Sequence, residues 1–231
     1  MEENKMLALV DHAFFCYTDR HCIFLDLSRD RYLSVDRRSV ENFATHLKEK
    51  TAFDENDQAV EAELKRRGLM ASDLQNGKDF APTIAISAIT EVATVSDTGP
   101  AKPTLSQLRI FFISAMRSEY LLRRLPISEI VTRAKRVRRG NDVDRSESSA
   151  EHAAALMRVF RRLRPLFPTD SICLRDSFMA INFLAAFGVH PEWVFGVSGD
   201  PFGAHCWLQI GNAVLTEEAA AVRRFRPIMV I

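Results

Sequence analysis

The chain has 231 residues, 47% of them hydrophobic, which is enough for one medium domain or for a small domain joined to a larger one. Lysine and arginine total 31 against 30 acidic residues, which excludes an overall charge that would select nucleic acid or an anionic membrane. Because the sequence has neither an apolar run of about 18 residues nor a signal-peptide pattern at its start, we expect a cytoplasmic protein.

Short strands and helices are predicted in the first third of the chain. The strands lie at residues 12–17, 22–27 and 31–35, and the helices at residues 39–47 and 59–67. The second helix ends at Gly68, the residue type that most often terminates helices. This order of elements predicts a winged-helix-like module over residues 1–80.

A change in composition then separates this module from the rest of the chain. Residues 81–104 are rich in small residues and end in Gly99-Pro100-Ala101-Lys102-Pro103, which predicts a linker. Its apolar part, residues 84–89, leaves open a strand or a packed tether. Residues 105–231 are predicted to form a second domain. Its helices lie at 105–125, 127–139, 146–163 and 171–187, and its strands at 193–197, 204–210 and 213–216.

Cys173 is placed three residues into the last of these helices. Thr169 or Asp170 is the predicted N-cap, which puts Cys173 in the first turn, where the helix dipole and unpaired N–H groups favour a thiolate. The same N–H groups could stabilise an oxyanion. The alternative is an inert buried cysteine.

His205 begins a predicted strand after a loop rich in turn residues, and Trp207 and Gln209 share its face. It is the candidate base for Cys173, unless backbone groups merely satisfy it. Glu217 and Glu218 end the returning strand and are candidates to orient the imidazole, or else form a solvated pair.

The turn decides between the two glutamates. A two-residue loop at Gly211-Asn212 would place Glu218 opposite His205, whereas a loop centred on Gly211 would place Glu217 there.

Other chemical signals are weaker. His12, Cys16, His21 and Cys22 lack the spacing of a tetrahedral site, so no metal is predicted. Glu151-His152 lacks the HExxH spacing of a metalloprotease. The basic residues at 133–139 lie at a helix C-terminus, where cations suit the dipole, and no nucleic-acid partner is expected.

These residues together resemble a known family, the transglutaminase-like cysteine peptidases of lasso-peptide biosynthesis, called B proteins. The resemblance rests on Cys173 and on the motif around the histidine, matched at Pro201, Phe202, Ala204, His205 and Trp207. Cys206 stands where the family usually has alanine. Glu217, twelve residues after His205, stands where it commonly has aspartate, and Glu218 remains the alternative.

The resemblance implies an α+β protein with a papain/transglutaminase-like core and a triad of Cys173, His205 and Glu217. It implies cleavage of a ribosomally made precursor at its leader–core junction, and a fused N-terminal PqqD-like element that recognises the leader. It further implies delivery of the core peptide to an asparagine-synthetase-like cyclase. No cofactor is expected in this chain, because the partner cyclase would use the ATP.

A flexible leader can be captured by adding a strand to an exposed sheet edge. The third strand is the candidate edge, with Arg31, Tyr32, Leu33 and Ser34 as contacts and Leu64 of the later helix as the groove wall. The alternative is an ordinary buried strand. Two other functions remain open: a transglutaminase or arylamine-type acyltransferase with the same triad, and a non-catalytic peptide-binding protein.

Overall fold

The computed structural model describes residues 7–71, 77–82, 102–139, 147–170, 172–216 and 219–231. Contacts divide the chain into two compact units. The first unit comprises residues 1–84, 197–203 and 226–229, and the second comprises residues 85–196, 204–225 and 230–231. Most of the predicted linker, at residues 83–101, lies outside the described residues, so the linker and its alternatives stay predictions.

The N-terminal part contains five strands and two helices among its described residues. They are β1 (Ala8–Leu9), β2 (Ala13–Tyr17), β3 (His21–Asp26), β4 (Arg31–Asp36), α1 (Arg37–Glu49), α2 (Glu55–Arg67) and β5 (Met70–Ala71). Strands β2, β3 and β4 form an antiparallel sheet in that order, and β1 pairs with β5. The three predicted strands and two helices are confirmed.

Side chains at the helix ends explain where both helices begin. Asp36 accepts a hydrogen bond from the Ser39 N–H at the start of α1. Asp54 and Asp57 form a capping box at the start of α2, and Gly68 ends that helix in the left-handed conformation. The apolar faces of the helices meet the sheet in a core that includes the fully buried rings of Phe15, Phe24 and Phe43.

The C-terminal part consists first of helices and then of the strands of a second sheet. Its helices are α3 (Leu105–Arg124), α4 (Ile127–Arg139), α5 (Glu147–Leu163), α6 (Cys173–Ala185) and α7 (Ala219–Val222), with a short 3-10 turn at Arg164–Leu166. Its strands are β6 (Glu192–Ser198), β7 (Gly203–Ile210), β8 (Ala213–Val214) and β9 (Arg226–Val230), in the order β8-β7-β6-β9. The fold class is therefore mixed α+β, as expected.

Helix α6 lies at the centre of this second part. On one side Phe183 contacts Phe111 of α3 and Phe160 of α5, and on the other Phe178 stacks on Trp193 of β6 with 5.9 Å between ring centroids. Packing against both helices and sheet fixes the direction of α6 and brings its first turn beside β7. Among the described helices, none is both long and apolar enough to cross a membrane.

Candidate active site

Cys173 is the first residue of α6, and its side chain is half-buried. The N-cap is Ile172, so the prediction of Thr169 or Asp170 as the cap is wrong. Ile172 has no side-chain acceptor, and it leaves first-turn N–H groups available to a thiolate or to an oxyanion. The sequence thus placed Cys173 in the correct turn for a partly incorrect reason.

Arg164 explains why neither Thr169 nor Asp170 is the N-cap, and the sequence did not point to this arginine. Its guanidinium donates to Asp176 Oδ1 at 2.7 Å, to the Phe167 carbonyl at 2.8 Å and to the carbonyls of Thr169 and Asp170 at 3.1 and 3.2 Å. An arginine has five fixed donors, which lets one side chain hold a whole loop. Arg164 therefore ties the segment before Cys173 to the first turn of α6.

The sulfur of Cys173 accepts three hydrogen bonds from β7. They come from the thiol of Cys206, from the ring of His205 and from the backbone N–H of Cys206. The Cys206 thiol contributes most and the His205 ring next, and together they lower the pKa of Cys173 to about 4 although partial burial opposes this. At neutral pH Cys173 is therefore a thiolate beside the ring of His205.

Cys206 has the opposite character. It is buried, and its pKa is raised well above the ordinary value, first by the hydrogen bond to Cys173 and then by burial. Trp193 and Ser177 act in the other direction and favour the charged form, and the Cys206 sulfur lies 4.0 Å from the Ser177 Oγ. One sulfur of the pair thus carries the negative charge and the other keeps the proton.

Two aromatic rings position His205. Phe225 stacks on the imidazole with 5.2 Å between centroids, and the Trp207 ring lies nearly parallel to it at 6.4 Å. Trp207 Nε1 donates to Gln209 Oε1 at 2.9 Å, which confirms that His205, Trp207 and Gln209 share one face of the strand. Phe225 was not found from the sequence because it precedes a strand that the sequence pattern does not reveal.

A cleft of about 590 Å³ opens at Cys173 and His205. Its remaining lining residues are Met157, Phe160, Arg161, Arg164, Pro165, Asp176, Ser177 and Thr216. The cleft is large enough for several residues of a peptide and offers both apolar and charged contacts. Within the described parts of the chain, no group of three histidine, cysteine or acidic side chains is placed to hold a metal ion.

The proposed triad acids, Glu217 and Glu218, lie outside the described residues. Strands β7 and β8 pair Ile210 with Ala213, so the turn is the two-residue loop that, by simple counting, favours Glu218. Pairing changes before the glutamates, however, because the Leu208 N–H donates to the Thr216 side chain at 3.1 Å. The turn alone therefore does not decide between Glu217 and Glu218.

The predicted leader-binding residues belong to the first unit. Arg31, Tyr32, Leu33 and Ser34 lie on β4, an outer strand of its sheet, with Arg31 and Ser34 exposed and the other two half-buried. Leu64, by contrast, is fully buried in the hydrophobic core. Its side chain supports the sheet from behind and is not available to line an open groove.

Comparison with known proteins gives one match. A family model described as the transglutaminase-like superfamily matches residues 113–230, about half of the chain. The matched region includes Cys173, His205 and the strands of the second sheet. Searches of the curated proteins and of the solved structures found no significant match.

Proposed function

We propose that this chain, which belongs to the transglutaminase-like superfamily, is a cysteine peptidase. Its substrate would be a ribosomally made lasso-peptide precursor, from which it removes the leader. The observation that supports this proposal most directly is the Cys173 thiolate, hydrogen-bonded to His205 at the mouth of a peptide-sized cleft. A low-pKa thiolate beside an imidazole is the arrangement that nucleophilic acyl chemistry requires.

The reaction would proceed in two halves. Cys173 gives its proton to His205 and attacks the carbonyl at the leader–core junction as a thiolate, and first-turn N–H groups of α6 stabilise the oxyanion. The His205 imidazolium then returns the proton to the departing amine. His205 then takes a proton from water, which hydrolyses the thioester and frees Cys173. Glu217, or else Glu218, would hold the imidazole in the productive tautomer. Replacing each glutamate separately with glutamine would identify the triad acid, because loss of that carboxylate should reduce activity far more than loss of the other.

Strand β4 is the proposed site of leader binding within a winged-helix-like recognition element. It supports this role because it is an outer strand, whereas the other outer strand, β2, is largely buried. An added strand would gain backbone hydrogen bonds there, with side-chain contacts from Arg31, Tyr32, Leu33 and Ser34. Arg31→Glu should weaken binding of the precursor, and Arg38→Glu, an exposed charge on the adjacent helix, is the matched control.

The released core peptide would pass to an ATP-dependent cyclase of asparagine-synthetase type, which closes the macrolactam ring. In this division of labour the chain itself uses no cofactor. Adding the cyclase and ATP to the cleavage reaction should convert the free core peptide into a product lighter by one water, whereas the peptidase alone should stop at the linear core.

The central test compares the wild type with Cys173→Ala on a synthetic lasso-peptide precursor. The peptidase proposal expects two fragments whose masses add up to the precursor plus water, and no cleavage but retained binding by the variant. Equal cleavage by both proteins would contradict it. A fragment mass that includes an added amine would identify the acyltransferase, and binding without reaction in the wild type would identify a peptide-binding protein.

A further inference from the structure

The active-site cysteine has a second cysteine beside it on β7. The side chain and the backbone N–H of Cys206 both stabilise the Cys173 thiolate, and the Cys206 sulfur lies 4.0 Å from the Oγ of Ser177, one turn after Cys173 in α6. Cys173 and Ser177 line the cleft, whereas Cys206 is buried. Any hydrogen-bond donor at this position would stabilise the Cys173 thiolate, whereas a thiol can also react with an oxidised Cys173.

The pairing is not a general property of cysteines in this chain. Cys16 and Cys22 also lie on neighbouring strands, but Cys16 is in register with Ile23 and Cys22 with Tyr17. Because successive side chains of a strand point to opposite faces, the two thiols lie on opposite sides of the sheet. They cannot meet without breaking the sheet, and both are buried.

We propose that Cys173 is a site of reversible oxidation by hydrogen peroxide and that Cys206 resolves the oxidised form into an intramolecular Cys173–Cys206 disulfide. This proposal goes beyond the proposed function, since it requires no peptide substrate. A thiolate open to solvent with a thiol in contact is the arrangement in which sulfenic acid condenses to a disulfide.

The chemistry balances with hydrogen peroxide as the only oxidant. The Cys173 sulfur attacks one peroxide oxygen, the O–O bond breaks, and the leaving hydroxide takes a proton to become water. Cys206 then loses its proton and attacks the Cys173 sulfur, the S–O bond breaks, and the hydroxyl leaves as a second water. Two thiol groups are oxidised by two electrons in total, and the peroxide is reduced.

The surroundings of Cys206 favour the second step. In the reduced protein the largest cause of its raised pKa is the hydrogen bond to Cys173. A neutral sulfenic acid at Cys173 removes that negative charge, while Trp193 and Ser177 continue to stabilise a thiolate at Cys206. Resolution is therefore promoted by the first oxidation itself.

The disulfide would have two consequences. It removes the nucleophile, so activity of the cleft stops until a dithiol reductant restores it. It also prevents further peroxide from carrying Cys173 to the irreversible sulfinic and sulfonic acids.

The test begins with mass spectrometry of the full-length wild type. Reduced protein is treated with a small excess of hydrogen peroxide, and the remaining thiols are alkylated under denaturing conditions before digestion without reductant. We expect a loss of about 2 Da from the intact protein, a cross-linked peptide that contains Cys173 and Cys206, and full reversal by dithiothreitol. Cys16 and Cys22 should be recovered as alkylated thiols. A bridge through either of them, or Cys173 oxidised to sulfinic acid without a bridge, would overturn the proposal.

Variants then test the resolving role. In Cys206→Ala and Cys206→Ser, Cys173 should advance to the irreversible acids and lose its reactivity towards iodoacetamide permanently. Cys22→Ala, which removes a buried thiol of the other pair, should form the disulfide like the wild type. Recovery of Cys173 by dithiothreitol in both Cys206 variants would contradict the proposal. Mass and thiol reactivity are measured without a precursor. Failure of the peptidase proposal would therefore not change this result.

Discussion

The two pairs of cysteines show how differently one chain can treat the same side chain. In the N-terminal sheet, burial raises the pKa of Cys16 to about 12 and raises that of Cys22 as well. In the C-terminal cleft, the hydrogen bonds of Cys206 and His205 lower the pKa of Cys173 to about 4. In each pair the two cysteines lie on neighbouring helices or strands, yet only the pair in the cleft contains a reactive thiolate.

The difference lies in what the sulfur contacts rather than in how deeply it lies. Cys206 is as buried as Cys16, but it still affects the pKa of the cleft cysteine because it lies beside Cys173. Cys22 packs in the core of the first unit among aromatic rings, where a charge would gain no compensating donor. Polar neighbours at a helix start thus convert a cysteine into a nucleophile, and apolar ones keep it inert.

The largest effect should follow from removing the imidazole. His205→Gln keeps a hydrogen-bonding side chain of similar size but cannot transfer protons, so we expect cleavage of the precursor to slow by about a thousandfold or more. His152→Gln, at an exposed position on α5, is the control and should leave the rate unchanged. Cleavage by His205→Gln within a few-fold of the wild type would remove His205 from the mechanism.

A smaller effect should appear in the rate of alkylation. A thiolate with a low pKa is more abundant at pH 6 but less nucleophilic, so Cys173 should react with iodoacetamide only about tenfold faster than glutathione. The rate should be nearly constant from about pH 5 to 8, because Cys173 is already ionised throughout that range. In Cys206→Ala the pKa of Cys173 should rise, since the largest stabilising hydrogen bond is gone, and the rate should become pH-dependent. An alkylation rate that stays independent of pH in that variant would show that Cys206 does not stabilise the Cys173 thiolate.

Sequence patterns predicted the parts of this comparison that depend on local structure. The start of α6 and the start of β7 placed Cys173 and His205, because a helix N-terminus and a strand after a turn are visible in a few residues. The cap was missed because Arg164, in the 3-10 turn that follows α5, binds the carbonyls of the intervening loop. The contact between the two sulfurs likewise depends on how α6 packs against β7, and this packing cannot be predicted from a single sequence.

The missed strands have equally physical reasons. β1 and β5 contain two residues each, which is too short for any alternation to show. β9 begins Arg226-Pro227, and a proline normally argues against a strand; it is tolerated here because β9 is the outer strand of its sheet. Phe225, which stacks on His205, was missed together with that strand.

A change in the inert pair should alter stability and nothing at the cleft. Cys22→Ala leaves a small cavity in a core that has no exposed surface at this position, so we expect a loss of about 1–2 kcal/mol in the free energy of unfolding. Denaturant unfolding measures the loss, and the alkylation rate of Cys173 should stay at its wild-type value. Cys22→Ser should cost more, because it buries a hydroxyl in an apolar site. A serine variant as stable as the wild type would show that this position is hydrated.

The last effect is the dependence of stability on pH that Cys173 introduces. Its pKa is lowered from 9.0 in the unfolded chain to about 4 in the folded protein, so between these values the unfolded state binds the extra proton. The stabilisation is therefore fully present above about pH 9 and is lost as the pH falls through about 4. Partial exposure of the thiolate to solvent screens its interactions and keeps the effect modest.

The measurement compares wild type with Cys173→Ala by denaturant unfolding at several pH values. The informative range is about pH 4.5 to 6, below the ordinary titration of histidine in the unfolded chain, so that the slope reports on the cysteine. We expect the stability of the wild type relative to the variant to rise with pH across this range. A difference that is flat there would mean that Cys173 is protonated in the folded protein, and the contrast between the two cysteine pairs would then reduce to a difference in exposure.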